Sequence, residues 1–178
     1  MLKRIILTLL LIFFSTSALA KKGINIFSYP REVPTTKIFN QHGQSFSLSD
    51  FKGDFLIVVF WSKTCIPCIK EIDDINEFIK KTNGTGIKLI MVSSEKEWIS
   101  SEEQKNFLKK YGGESIEFYT DKKSALSNSF GIFTSPHTVL VNEDSMEIGR
   151  IRGAIDWDST KNIEQIYKIK TEQQKLTQ

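Results

Sequence analysis

Short, densely apolar runs alternate along the chain with longer stretches in which apolar residues recur every three or four positions. The run FLIVVFW at 55–61 is unbroken, β-branched and aromatic, a pattern that fits a strand covered on both faces. From 67 to 80, Ile69, Ile72, Ile75, Phe78 and Ile79 fall at helical spacing, with Lys70, Glu71, Asp73, Asp74 and Glu77 largely on the other side. NGTG at 83–86 stops that helix, and IKLIMV at 87–92 reads as a second core strand. Strand, helix and strand thus form a crossover unit with parallel strands.

Further along, 101–111 predicts a helix stopped by Gly112 and Gly113, 116–119 a short strand, and 121–130 a short helix ending at Gly131. Residues 138–142 and 146–152 predict an antiparallel hairpin turned at 143–145. A last amphipathic helix carries Ile163, Ile166, Tyr167 and Ile169, and the polar tail 171–178 is expected to fray. Ahead of the first core strand, two alternating runs flank His42-Gly43-Gln44 and predict an N-terminal β-hairpin whose buried face holds Phe46 and Leu48. Residues 21–33 show no period and read as an arm. These elements describe an α/β domain over 34–170, with helices flanking a central mixed β-sheet.

The chain has 178 residues, 40% hydrophobic and 25% charged, which suits one compact domain. Lys and Arg total 24 against 21 for Asp and Glu, and a net charge of +3 gives no reason to expect nucleic acid or an acidic membrane surface as partner. The first 20 residues follow the order of a signal peptide: Lys3 and Arg4, an apolar run from Ile5 to Phe14, then small residues ending Ala18-Leu19-Ala20. Cleavage there starts the mature chain at Lys21 and lowers the net charge to +1. The strongly apolar run is about half of the ~20 residues that span a bilayer, so an uncleaved anchor is the alternative, and membrane contact is expected only in that case. Either way the domain is expected outside the cytoplasm, in the bacterial periplasm, where disulfides persist.

Only two cysteines exist, in Cys65-Ile66-Pro67-Cys68. Disulfide exchange needs one ionised, exposed thiol and a second close enough to displace the mixed disulfide that the first forms. At the junction of a buried strand and a helix, Cys65 meets unpaired backbone N–H groups that favour its thiolate, which lowers its pKa below the free value of ~8.5. Pro67 suits the first helical turn. Cys68, one turn in, is the expected resolving thiol. A structural zinc site would need two further ligands, and only His42 and His137 remain; haem attachment would need a His where Ile69 stands. No metal or other cofactor is expected beyond the redox-active cysteine pair.

The segments FWSKTCIPC at 60–68 and Thr134-Ser135-Pro136 resemble the thioredoxin superfamily, and the branch they are most similar to is the exported TlpA/ResA-like reductases. FSLSDFKG at 46–53, Glu71 three residues after Cys68, and GAIDW at 153–157 carry the likeness to that branch. The resemblance implies a thioredoxin-like fold and a cis Ser135–Pro136 bond facing the disulfide. It also implies contact with substrate through Ser135, Pro136, Ile66 and Pro67. Without it, Pro136 is only a strand-start proline, cis in ~5–6% of cases. For Glu71 the resemblance implies an acid that exchanges protons with the thiols; composition alone makes it a solvated helix acid. Cytoplasmic thioredoxins place an aspartate at the position of Val59, a tryptophan at Thr64 and commonly a threonine at His137. His137 therefore reads either as a cation beside the disulfide or as a solvent-facing strand residue. Trp61, Trp98 and Trp157 read as core packing.

The resemblance implies reduction of disulfides in exported client proteins, with electrons from a membrane-embedded thiol donor. The resemblance implies clients of the cytochrome c maturation or copper-site assembly type. A disulfide oxidant of the same fold, a Sco-like copper-binding chaperone and, less prominently, a peroxidase are the alternatives. The two-residue cysteine spacing argues against the chaperone, whose relatives space their cysteines by three.

Overall fold

The computed structural model describes residues 23–176, so the leader expected at 1–20 lies outside the described residues. Eight strands and five helices follow in the order β1 (Ile24–Glu32), β2 (Ile38–Phe39), β3 (Ser45–Phe46), β4 (Phe55–Phe60), α1 (Ile66–Lys70), α2 (Ile72–Lys81), β5 (Ile87–Ser94), α3 (Ser101–Lys110), β6 (Glu117–Asp121), α4 (Ala125–Ser129), β7 (His137–Val141), β8 (Met146–Arg152) and α5 (Thr160–Leu176). They build one mixed sheet in the order β1-β8-β7-β4-β5-β6-β2-β3. β4 runs parallel to β5 and antiparallel to β7, and β5 runs parallel to β6.

All six residues of β4 are buried, as its unbroken apolar run requires. The two-residue period of a strand then divides them between two cores. Ile57 and Val59 pack with Ile72, Ile75 and Phe78 of α2 and with Ile166 and Ile169 of α5. Leu56, Val58 and Phe60 pack with Leu48, Phe51, Leu126 and Phe130 on the opposite face. A helix-covered sheet with both faces dry is what a parallel crossover unit demands.

Two glycines are required by the packing. At the end of α3, Gly112 has φ +86°; its N–H bonds to the Lys109 carbonyl at 3.2 Å and that of Gly113 to Leu108 at 2.9 Å, closing the helix with a left-handed cap. Gly149 lies where β1 crosses close to β8, and a Cβ there would meet the Asn25 carbonyl oxygen at 2.6 Å.

Four expectations change. Residues 21–33, read as an arm without period, contain the edge strand β1, paired antiparallel with β8. Its alternation is hidden because the ladder shifts register between Ile26 and Arg31, and most of its side chains are exposed. The N-terminal hairpin is shorter than its pattern, pairing only Ile38 with Phe46 and Phe39 with Ser45. Leu48 instead opens a 3-10 turn (Leu48–Phe51), where the Asp50 carboxylate accepts the Ser47 N–H at 2.7 Å. The helix read from 67 to 80 is two, α1 and α2, broken at Glu71. The tail expected to fray continues α5 to Leu176. No helix of the described residues is long and apolar enough to cross a membrane.

Candidate active site

β4 leaves the core at Phe60, and the chain turns through 62–65 into α1. Trp61 stays buried, stacked at 5.4 Å from Trp98 and 6.0 Å from Phe107. The Cys65 N–H bonds to the Ser62 carbonyl at 3.1 Å. Lys63 is held from the segment after β5: its N–H donates to Glu97 Oε2 at 2.7 Å and its ammonium to Glu103 Oε1 at 2.9 Å. Local sequence carries no sign of these two acids, because they lie 34 and 40 positions away, in the turn after β5 and in α3.

Cys65 caps α1, and its Sγ accepts the Cys68 N–H at 3.3 Å. The two cysteines are disulfide-bonded, with Cα atoms 5.3 Å apart. Cys65 is half-buried, whereas Cys68 is 1% exposed and belongs to the α2-side core. Ile66 and Pro67, between them, face solvent. The Ser135–Pro136 bond is cis, with Ser135 exposed and Pro136 buried. The Pro136 carbonyl accepts the Gly153 N–H at 3.0 Å, which ties the proline loop to the segment leaving β8.

Glu71 sits at the break between α1 and α2 and turns inward, not to solvent. Its Oε1 accepts the Ile155 N–H at 2.7 Å and the Trp157 Nε1–H at 2.9 Å. Burial raises its pKa from 4.5 to about 7; the two hydrogen bonds oppose that rise and the Asp74 charge adds to it. Trp157, read as core packing, does pack at 5.5 Å from Phe78, but it also donates to Glu71. A groove of about 400 Å³ runs beside the disulfide between Ile66, Pro67 and Glu71 on one wall and Ala154 to Asp156 on the other.

His137 fits neither expectation. It is buried on β7 in line with Val139 and Val141, on the sheet face away from Cys68. Burial, with Arg150 and Arg152 adding to it, lowers its pKa to about 4, so it is neutral at pH 7, and its Nε2 has no hydrogen-bond partner among the described residues. Asp74, Asp156 and Asp158 bring carboxylate oxygens within 4.8 Å of one another, but Lys81 already bridges to Asp158 at 3.2 Å, and neither cysteine joins the group.

A dithiol pair at the end of a central strand, the second sulfur buried behind the first, and a cis-proline loop define a thioredoxin-fold thiol–disulfide oxidoreductase. The chain belongs to the AhpC/TSA family, which matches residues 29–153. It is 29% identical over 125 residues to the thiol-disulfide oxidoreductase ResA of Bacillus thuringiensis subsp. konkukian, covering 69% of each chain. The ResA of Halalkalibacterium halodurans is 24% identical over 131 residues, 74% of this chain and 68% of that one. Among solved structures, a thioredoxin-family thiol:disulfide interchange protein from Chlorobium tepidum matches with a TM-score of 0.64 and 21% identity, over 81% of this chain and 98% of that one. StoA from Bacillus subtilis matches at 0.58 and 24%, over 74% and 99%. Those two structures share the fold.

Proposed function

We propose that the protein reduces disulfides of exported client proteins, with Cys65 as attacking thiolate and Cys68 as resolving thiol. The observation that carries this is the inequality of the two sulfurs: Cys65 is partly open and accepts an N–H, while Cys68 is enclosed. In the dithiol form, the Cys65 thiolate attacks one sulfur of the client disulfide, the client S–S bond breaks, and the other client sulfur leaves as a thiolate and takes a proton. Cys68 then loses its proton and attacks Cys65, which forms the Cys65–Cys68 bond and releases the second client thiolate. Two electrons pass from the dithiol to the client.

Glu71 is the acceptor for the Cys68 proton, since a carboxyl that titrates near 7 is matched to that task at neutral pH. Ile66, Pro67, Ser135 and Pro136 contact the client backbone beside the reacting sulfur. The leader at 1–20 exports the chain to the periplasm. A membrane-embedded thiol donor restores the dithiol, and the clients are of the cytochrome c maturation or copper-site type, as the resemblance to TlpA/ResA-like reductases implies.

Replacing Cys68 with Ala tests the assignment by trapping clients on Cys65 as stable mixed disulfides. Trapping through Cys68 in a Cys65→Ala variant instead would reverse the roles. A redox titration tests direction: a potential near about −270 mV fits reduction, and one well above about −200 mV makes the enzyme an oxidant.

A further inference from the structure

The loop that walls the groove beside the disulfide has a second cavity on its other side. This cavity, of about 950 Å³, lies among β1, β8 and the start of α5, and Ile155 and Asp156 line both it and the groove. Its charge is one-sided: Arg31, Arg150, Arg152 and Lys161 line it, against Asp156. Arg150 is already engaged, by Glu147 and by the Phe130 carbonyl. Arg31, Arg152 and Lys161 are exposed, and none of the three makes an ion pair among the described residues. Arg31 is held over the Phe27 ring, 4.0 Å from its centroid, and so is steered without being neutralised.

We propose that this basic cavity docks an acidic segment of the client polypeptide next to the client's reacting cysteine. The proposal rests on the exchange reading above and names the chemistry of its substrate. A client strand that meets Cys65 at the proline loop borders Gly153, whose N–H holds the Pro136 carbonyl, and Arg152 is the residue immediately before it. A chain continuing past that loop enters the cavity. Two guanidinium groups and an ammonium around one recess are the donors that carboxylates take up, Arg in bidentate fashion. Charges of this kind act chiefly on encounter, through rates that fall with ionic strength.

The test uses the full-length enzyme and three disulfide-bonded peptides that differ only in having acidic, neutral or basic residues beside the cysteine. Uncharged 2-hydroxyethyl disulfide reports on the chemistry alone. At low salt the acidic peptide should react about tenfold faster in kcat/KM than the neutral one, an advantage removed by 0.5 M NaCl, within the ~10–10³ range of electrostatic steering. Arg31→Glu/Arg152→Glu/Lys161→Glu should abolish or invert that preference with the hydroxyethyl disulfide rate unchanged, and Arg152→Gln alone should reduce it. Equal rates for the three peptides, or a preference that survives the triple substitution, overturn the proposal. Sulfate that inhibits the acidic peptide beyond NaCl of equal ionic strength identifies a small-anion site and also overturns it. If hydroxyethyl disulfide itself is not turned over, the exchange reading fails first, and this one with it.

Discussion

Glu71 and His137 are both more than nine-tenths buried, and they bind protons with opposite consequences for stability. Glu71 has its pKa raised from 4.5 to about 7, so the folded chain holds that proton more tightly than the unfolded one, and stability falls as pH rises through this window. His137 is lowered from 6.5 to about 4, so the unfolded chain takes its proton first, and stability is lost as pH falls from 6.5 to 4. Each change converts to about 3 kcal/mol. Between pH 4.5 and 6.5 the two slopes cancel, and the oxidised wild type should show little dependence from this pair. Glu71→Gln removes one slope while its side-chain carbonyl can still accept from Ile155 and Trp157. That variant should match the wild type near pH 4.5 and exceed it by about 3 kcal/mol at pH 8. Its stability should also climb by about the same amount from pH 4 to 6.5, where His137 is left unopposed. Urea unfolding of the oxidised proteins across pH 4–8 reads this directly, and subtracting variant from wild type removes the contributions of distant carboxylates. An unchanged difference across the range would falsify the account of Glu71 as a buried acid ionised at a cost.

Other substitutions probe the surrounding frame. Trp157→Phe keeps the ring against Phe78 but removes a donor from Glu71, so the Glu71 pKa should rise further, as read by carboxyl NMR titration, with about 1–3 kcal/mol of stability lost at pH 8. Gly149→Ala forces a Cβ against the Asn25 carbonyl, and should cost about 1–3 kcal/mol and loosen β1, seen as faster hydrogen exchange at Ile24–Ile26. Phe78→Ala empties the contact of α2 with Trp157 in the core and should cost about 3–5 kcal/mol in urea unfolding.

Most of the core was legible because its strands are dry on both faces: a run such as FLIVVFW has few other places to go. The edge strand β1 was not, since one neighbour and exposed side chains leave little alternation to read. The break at Glu71 was also invisible. Apolar spacing continues smoothly across it, and the carboxylate that turns inward there has its partners 84 and 86 residues away. The cysteine pair and the proline were readable from local sequence. The environments of Glu71 and His137 depend on which residues face them across space, so composition set Glu71 on the wrong side of the surface and neither reading of His137 reached its buried place.

Residues 153–157 connect the parts of the site that the chain order separates. Gly153 holds the carbonyl of Pro136, Ile155 and Trp157 hold the carboxylate of Glu71, and the following Asp158 is anchored to Lys81 at the end of α2. One short segment therefore borders the groove beside the cysteine helix and also supplies the two hydrogen bonds that oppose the burial-driven rise of the Glu71 pKa. A client that displaced Ile155 would remove a hydrogen bond that lowers the Glu71 pKa, and so would push that carboxyl toward its protonated form. On the exchange reading, the pH dependence of exchange with a large client should therefore differ from that with a small disulfide, and superimposable pH–rate profiles for a client peptide and 2-hydroxyethyl disulfide would refute this link.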